Sequence, residues 1–204
     1  MRDEDDATMK PVTWIWLRHL RAAGPEGAFC GRADPPLAPV DPAQLARLVA
    51  ALPPGATILT SPLARCCQTI AALGAAGGAF AEAEDAPAFL EQSFGAWEGR
   101  RYADIPEVSA WTIEDYALKA PPGGESFAAV CARVARAIDR RNVSAADTTI
   151  VVCTHAGVVR AALAHALELP PAKALAFAVD CGSLTRITCI SPDDRRIEQV
   201  NVRP

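Results

Sequence analysis

Short, continuously apolar runs of β-forming residues recur along this chain and alternate with segments of helical periodicity. The runs lie at 12–17, 56–60, 88–90 and 148–153. Strands that are apolar at nearly every position are buried on both faces, as in a parallel sheet covered by helices. The β-α-β-α order therefore predicts an α/β fold, a three-layer sandwich with a mostly parallel open sheet and helices on both faces.

Helix signals fill the gaps between these runs and continue after them. Predicted helices begin at Asp41-Pro42, at Ser61-Pro62 and near Glu125-Ser126, and a fourth runs from Val158 to Glu168. Proline is common at the first helical position because it loses no hydrogen bond there. The third helix has a buried stripe at Phe127, Val130, Cys131, Val134 and Ile138. Two further strands, at 184–190 and 195–202, are predicted to close the chain as a pair.

A single domain is predicted for residues 12–204. The chain has 204 residues, half of them hydrophobic, which is enough for one sizeable core. Residues 1–11 carry four acidic side chains and no periodicity, so we expect a disordered leader there. The segment 95–125 is irregular and contains two tryptophans. Long irregular segments in compact domains are often functional, so we predict a helical insertion over one end of the sheet, near the active site.

The charge balance excludes some classes of partner. A formal net charge of -4 and a pI near 5.4 predict no nucleic-acid partner, because such binding relies on clustered Lys and Arg. No stretch approaches the roughly 18 apolar residues of a membrane helix. The amino terminus is acidic where a signal peptide would be basic. We expect a cytoplasmic protein without membrane association, and the oligomeric state stays open, with a homodimer as one alternative.

The seven cysteines are interpreted as small core residues. Their number is odd and several lie inside apolar runs, which disfavours a disulfide framework. The sequence has no Cys-x-x-Cys pair and no His-x-x-x-His pair, so nothing shows the ligand spacing of a zinc site. We expect neither a metal ion nor another cofactor.

Ionisable residues of the kind used in phosphoryl transfer follow the predicted strands. They are Arg18-His19 after the first strand, Arg65 after the second, Glu91 after the third and His155 after the fourth. In open α/β sheets, ligands bind in the crevice beyond the carboxyl ends of the strands. We therefore predict that these side chains converge, although they are far apart in the chain.

Such a set suits phosphoryl transfer without a metal ion. Arg18 and Arg65 can neutralise a phosphate with bidentate hydrogen bonds, and their charge lowers the pKa of a nearby imidazole. His19 would then stay unprotonated and nucleophilic, while His155 donates to the phosphate and Glu91 protonates the leaving alkoxide. A lone histidine is more often structural, so the hypothesis depends on the whole set.

Other conspicuous residues are predicted to be structural. His165 lies inside the fourth helix pattern, and Gly123-Gly124 lacks the ending of a phosphate-binding loop and is interpreted as a turn. Three aromatic residues either line an organic pocket or pack a core, and the core is favoured because aromatic residues mostly serve cores. These are Trp97, Trp111 and Tyr116.

Four segments, in the same order, resemble motifs of the histidine phosphatase superfamily, also called the phosphoglycerate mutase-like family. LRHLRA at 17–22 is similar to its Leu-Arg-His-Gly-x-Thr segment, and SPLARCCQTI at 61–70 to Ser-Pro-Leu-x-Arg-x-x-x-Thr. FLEQSFGAWEG at 89–99 resembles its acidic element, and VVCTHAGVVR at 151–160 its second histidine segment. With FCGRADPPL at 29–37, the likeness runs from about Trp14 to Ile187.

The resemblance implies a metal-independent phosphatase that hydrolyses a small-molecule phosphate ester through a phosphohistidine. It makes His19 the nucleophile and Glu91 the proton donor, with Glu98 structural. The implied phosphate ligands are Arg18, Arg65, His155 and Ala156, and the implied substrate-binding residues are Cys30 and Gly31. PPGGESF at 121–127 and VDCGSLTRI at 179–187 look most like the alpha-ribazole phosphatase branch. That branch implies alpha-ribazole 5'-phosphate, a precursor in cobalamin synthesis, as the substrate.

Three departures from the family pattern leave alternatives open. Leu20 replaces a glycine, Ala22 a Thr or Ser, and Ala156 a common glycine. Leu20 is expected to crowd the pocket or shift its specificity, because glycine beside a phosphate permits close backbone approach. The loss of one hydroxyl at Ala22 is worth about 1 kcal/mol, which reduces activity without abolishing it. A phosphoglycerate-type phosphomutase and a non-catalytic binding protein with the same fold are the alternative functions.

Overall fold

A single six-stranded sheet forms the centre of the molecule, in a computed structural model that describes residues 10–79, 82–144 and 149–204. The strands are β1 (Val12–Arg18), β2 (Thr57–Thr60), β3 (Glu84–Asp85), β4 (Thr149–Thr154), β5 (Leu184–Cys189) and β6 (Arg195–Val202). The helices are α1 (Pro42–Ala51), α2 (Ala64–Ala75), α3 (Pro106–Ala110), α4 (Ile113–Leu118), α5 (Phe127–Ser144), α6 (Ala156–Ala166) and α7 (Pro171–Ala174). Short 3-10 helices occur at Pro87–Phe89, Gly95–Trp97 and Tyr102–Asp104.

The sheet is mostly parallel, as predicted. Its strand order is β3-β2-β4-β1-β5-β6. Strands β3, β2, β4 and β1 pair in parallel, whereas β5 pairs antiparallel with β1 and β6 antiparallel with β5. The two closing strands therefore form the antiparallel edge of an otherwise parallel sheet.

Helices cover both faces of the sheet because successive side chains of a strand point to opposite faces. Trp14 and Trp16 of β1 pack with residues of α5 and α6, and their rings stack at 5.3 Å. Ile15 and Leu17 of the same strand pack with residues of α1 and α2. The three-layer sandwich that the sequence predicts is confirmed.

The strand predicted at 88–90 is wrong. The chain forms a 3-10 turn at Pro87–Phe89, and Phe89 is buried edge-on against Trp14 and Trp16. A short apolar run is ambiguous, since a buried turn and a buried strand have the same composition. The edge strand comes earlier, at Glu84–Asp85, whose two side chains are exposed and carry no apolar pattern.

The other predicted elements differ from the structure only at their ends. Helix α2 begins at Ala64 and α6 at Ala156, within a few residues of the predicted starts. Residues 1–9 of the expected leader lie outside the described residues. Its last two positions, 10 and 11, are described and lie directly before β1. Within the described ranges, no helix is long and apolar enough to cross a bilayer.

The insertion at 95–125 is helical, as predicted. It contains two of the 3-10 turns together with α3 and α4, and a capping box between Thr112 and Asp115 begins α4. Phe29, Trp97 and Ile105 form a small separate core beneath it. The insertion thus has its own packing and forms one wall of the site described next.

Candidate active site

Two adjacent parallel strands bring His19 and His155 together. His19 follows the last residue of β1, and His155 follows β4 as the N-cap of α6. The register pairs Arg18 with Thr154, so the two histidines leave the sheet side by side. Their ring centroids are 5.1 Å apart, and both side chains are buried.

Arg65, in the first turn of α2, links the two histidines. Its Nε–H lies 3.2 Å from Nε2 of His19 and 3.2 Å from Nδ1 of His155, so one donor serves both rings. Its terminal nitrogens donate to the carbonyl oxygens of Ala33 at 2.9 Å and Gly31 at 2.7 Å. Only 1% of Arg65 is exposed. This guanidinium therefore has a single orientation, with its charge held between the histidines.

The backbone of Leu20 fixes the tautomer of His19. Nδ1 of His19 lies 2.6 Å from the Leu20 carbonyl oxygen, and a carbonyl can only accept, so Nδ1 carries the proton. Nε2 therefore keeps its lone pair. Burial, with the charges of Arg65 and Arg18, lowers the pKa of His19 from 6.5 to about 3, even though the Leu20 carbonyl acts in the other direction.

Ser61 orients His155 and is a residue that the sequence analysis missed as a site residue. The Nε2 atom of His155 lies 2.7 Å from the Ser61 hydroxyl, and Nδ1 accepts from Arg65, which makes Nε2 the donor. Burial and the Arg65 charge hold the pKa of His155 well below its usual value. A hydroxyl immediately beyond β2, at the carboxyl edge of the sheet, is the sequence signal that could have revealed it.

Thr69 joins the segment after β1 to helix α2. Its hydroxyl accepts from the Leu20 N–H at 3.1 Å and donates to the Arg65 carbonyl oxygen at 2.7 Å. Thr69 is fully buried. It therefore fixes the His19 backbone relative to the helix that carries Arg65.

Glu91 lies against the N-terminus of α6, although it does not directly follow a strand. Its carboxylate accepts from the Gly157 N–H at 3.4 Å. A Cβ atom at Gly157 would lie 2.4 Å from a Glu91 carboxylate oxygen, so only glycine permits this approach. Since His155 caps the same helix, the acid and the second histidine lie at one helix end.

Two arginines hold the backbone around Glu91. Arg32 donates to the Glu91 carbonyl oxygen at 3.1 Å, and Arg133 donates to the same oxygen at 3.3 Å. Glu125 binds both guanidinium groups, at 3.2 Å from Arg32 and 2.9 Å from Arg133. Glu98 has a separate structural role, because its carboxylate accepts from the backbone N–H groups of Arg32 and Phe94.

A cavity of about 520 Å³ opens beside these residues. Arg18 and Glu91 line it, as do the expected substrate-binding residues Cys30 and Gly31 and the expected phosphate ligand Ala156. Its aromatic lining consists of Phe29, Phe94, Trp97, Tyr102, Trp111, Tyr116 and Phe127. Both interpretations of the aromatic residues in the insertion are therefore correct, since Trp97 is buried in the small core and also lines the cavity.

Leu20 does not crowd this cavity, contrary to expectation. Its side chain is 1% exposed and packs in the core between the sheet and helices α1 and α2. Its backbone φ is not positive. The position therefore needs no glycine, and Leu20 contributes only backbone groups to the site. Ala22 forms an isolated bridge with Leu37.

The residues predicted to be structural have partners away from the histidine pair. His165 lies 2.8 Å from an Asp139 carboxylate oxygen on α5. Gly124 donates to the Pro121 carbonyl oxygen at 2.8 Å within a turn. Within the described part of the chain, no cluster of three or more His, Cys, Asp or Glu residues could hold a metal ion.

Several known proteins are similar to this chain in sequence. The sequence pattern of the histidine phosphatase superfamily (branch 1) matches residues 15–203. A bifunctional protein of Mycobacterium tuberculosis is 29% identical over 183 residues, which cover 86% of this chain and 50% of that protein. The adenosylcobalamin/alpha-ribazole phosphatase of Escherichia coli is 32% identical over 106 residues, which cover 50% of this chain and 52% of that protein. The chain spans about half the length of these curated relatives.

The alpha-ribazole phosphatase of Shigella flexneri has a similar solved structure. It superposes with a TM-score of 0.80 and 26% identity, covering 94% of this chain and 97% of that one. The matched superfamily pattern extends from β1 to the end of β6 and includes both buried histidines. The chain therefore belongs to the histidine phosphatase superfamily, branch 1.

Proposed function

We propose that this chain is a phosphomonoesterase in which His19 is transiently phosphorylated. The observation that carries the proposal is the state of Nε2 of His19. This nitrogen is unprotonated because Nδ1 donates to Leu20, and it lies 3.2 Å from the cationic Arg65. A neutral imidazole beside a buried guanidinium provides both a nucleophile and a charge that attracts phosphate.

In the first step, the Nε2 lone pair attacks phosphorus and the ester P–O bond breaks. Arg18 and Arg65 neutralise the equatorial phosphoryl oxygens, and the N-terminal N–H groups of α6 donate to them. The Nε2–H of His155 is directed at Ser61, so His155 donates to the phosphate only when Nδ1 is also protonated, a state that the phosphate dianion favours. Glu91, in its protonated form, gives its proton to the leaving alkoxide oxygen. The products of this step are an alcohol, the Glu91 carboxylate and phosphohistidine at His19.

In the second step, a water molecule attacks the phosphorus of the phosphohistidine. The Glu91 carboxylate removes a proton from this water, and the P–N bond breaks to release inorganic phosphate. The lone pair returns to Nε2 of His19, and Glu91 is protonated again. Every group returns to its starting state, and each step as written uses only side chains, backbone groups and water.

Alpha-ribazole 5'-phosphate is a candidate substrate. The Escherichia coli and Shigella flexneri relatives carry the name alpha-ribazole phosphatase. The cavity also supports a substrate with a flat organic ring, because its aromatic wall can stack against such a ring. Release of phosphate from this compound should be compared with release from sugar phosphates and phosphoglycerates. The same assays should also detect transfer of the phosphoryl group to a neighbouring hydroxyl.

The nucleophile is tested with His19→Ala and 4-nitrophenyl phosphate in the presence of EDTA. We expect turnover in the wild type and a loss of at least about a thousandfold in the variant. His165→Ala is the matched control, since that histidine pairs with Asp139 outside the site. Rapid acid-free quenching of the wild type should capture an acid-labile phosphoprotein. Undiminished turnover in His19→Ala would refute the mechanism, and transfer to a second hydroxyl without free phosphate would favour a mutase.

A further inference from the structure

A second cationic side chain lines the cavity outside the phosphate site. Arg160 lies on α6, four residues beyond Ala156, which corresponds to about 6 Å along a helix. The phosphoryl mechanism above does not use it. The sequence analysis did not select it either, although helical spacing from the α6 N-terminus places it on the same side as the phosphate ligands.

The loop after α7 holds Arg160 and Arg18 in parallel. Nε of Arg160 donates to the Phe177 carbonyl oxygen at 2.9 Å, and Arg18 donates to the Val179 carbonyl oxygen at 2.5 Å. These two carbonyls belong to alternate residues of one segment. Both guanidinium groups therefore line the same cavity from neighbouring anchor points.

The free donors of Arg160 indicate a ligand site. Within the described ranges, only its Nε has a hydrogen-bond partner, and no carboxylate forms an ion pair with it. Burial and the neighbouring Arg18 charge lower the pKa of Arg160, whereas Glu91 and Tyr102 act in the opposite direction. Glu91 offsets part of the Arg160 charge from across the cavity, and the terminal nitrogens of Arg160 stay open to an anion in that cavity.

We infer that Arg160 binds an anionic group, such as a carboxylate, on the organic part of the substrate. This inference rests on the proposed function and narrows its substrate class. The phosphate dianion is neutralised by Arg18 and Arg65, which leaves the Arg160 charge for a second anion about one helical turn away. The aromatic wall takes the flat part of the same molecule. The favoured substrate is therefore a phosphate monoester with a flat, anionic organic part. Alpha-ribazole 5'-phosphate, whose organic part is uncharged, is disfavoured by this inference.

Two aryl phosphates of nearly equal shape test this inference. 4-Carboxyphenyl phosphate and 4-nitrophenyl phosphate differ at a planar group that carries a net negative charge only in the carboxylate. Arg160→Gln should lower kcat/KM at least about tenfold for the carboxylate, mainly through KM, and less than about twofold for the nitro compound. The ratio of wild-type to variant kcat/KM is taken for each ester. Comparing the two ratios removes the difference in leaving-group reactivity between the esters. Arg136→Gln, at an exposed position of α5, should change neither.

A binding measurement on the wild type makes the test independent of how the variant folds. The inhibition constant of 4-carboxyphenylphosphonate should be at least about fivefold lower than that of phenylphosphonate. Equal inhibition by the two compounds, or equal losses on both esters in Arg160→Gln, would overturn the inference. A wild type that is inactive on both esters and forms no phosphohistidine would instead overturn the proposed function.

Discussion

Arg65 donates its single Nε–H toward Nε2 of His19 at 3.2 Å, while its other nitrogens are anchored on backbone carbonyls. The guanidinium is therefore both the partner of the proposed nucleophile and the brace of the loop that carries Gly31 and Ala33. A side chain with only one of these capacities cannot replace it. This relationship leads to the first prediction.

Arg65→Lys should lower kcat on 4-nitrophenyl phosphate by about a hundredfold or more. A lysine ammonium keeps the charge but cannot reach both histidines and both carbonyls in one orientation. Arg136→Lys, on the surface of α5, is the matched control. Circular dichroism should show both variants folded, and near-normal turnover in Arg65→Lys would mean that a point charge is sufficient.

The free energy of unfolding should fall as the pH decreases from about 6.5 to about 3. In this window the unfolded chain binds a proton on His19 that the folded chain does not, so acid favours unfolding. Between pH 7.5 and pH 5 the loss from His19 alone is about 2 kcal/mol. Urea titrations at both pH values measure it.

His19→Asn should remove that part of the pH dependence and leave the part that comes from His155, whose pKa is also lowered. His165→Asn serves as the control, because its partner Asp139 lies on the exposed side of α5. An unchanged slope in His19→Asn would show that His19 has an ordinary pKa in the folded protein.

Glu91→Gln should discriminate between leaving groups. An alkoxide needs a proton as it leaves, whereas 4-nitrophenolate does not, so only alkyl esters depend on the acid. We expect a loss of at least about a hundredfold on glycerol 2-phosphate and less than about tenfold on 4-nitrophenyl phosphate. Glu107→Gln, on the exposed face of α3, should leave both rates unchanged. Equal losses on both esters would indicate a role in positioning instead of proton transfer.

Leu20→Ala should destabilise the protein by about 2–5 kcal/mol, because it leaves a cavity in a core that includes Leu17 and Leu48. Chemical denaturation measures this loss. Activity per folded molecule should change little, since Leu20 contributes only its backbone to the site. A large gain in kcat without loss of stability would show that the side chain does restrict the pocket.

The location of the site could be predicted because it depends on strand ends. Arg18 ends an apolar strand, and His19 and His155 directly follow such strands. Parallel strands bring their carboxyl ends to one edge of the sheet. Glu91 also lies at that edge, but it is positioned by a turn and not by the end of a strand. The turn at Pro87–Phe89 and the short strand β3 precede it, and two exposed acidic residues give no periodic signal for a strand.

The contacts within the site could not be predicted from spacing. Ser61 and Arg160 have common residue types whose roles depend on what faces them, the His155 ring and an open cavity. The expectation that Leu20 crowds the pocket is wrong for the same reason. Sequence shows that a side chain is large, whereas packing decides whether it points toward the pocket or the core.

The α/β layering, the mostly parallel sheet and the edge at which the ionisable residues gather follow from the sequence alone, because strand burial and the order of elements can be read along the chain. The folded structure is needed to show which nitrogen of His19 is free, how one Arg65 N–H is shared, and that Arg160 lines the same cavity. Those features depend on hydrogen bonds between segments distant in the chain, whose geometry follows from strand register and from the packing of α2 and α6 against the sheet.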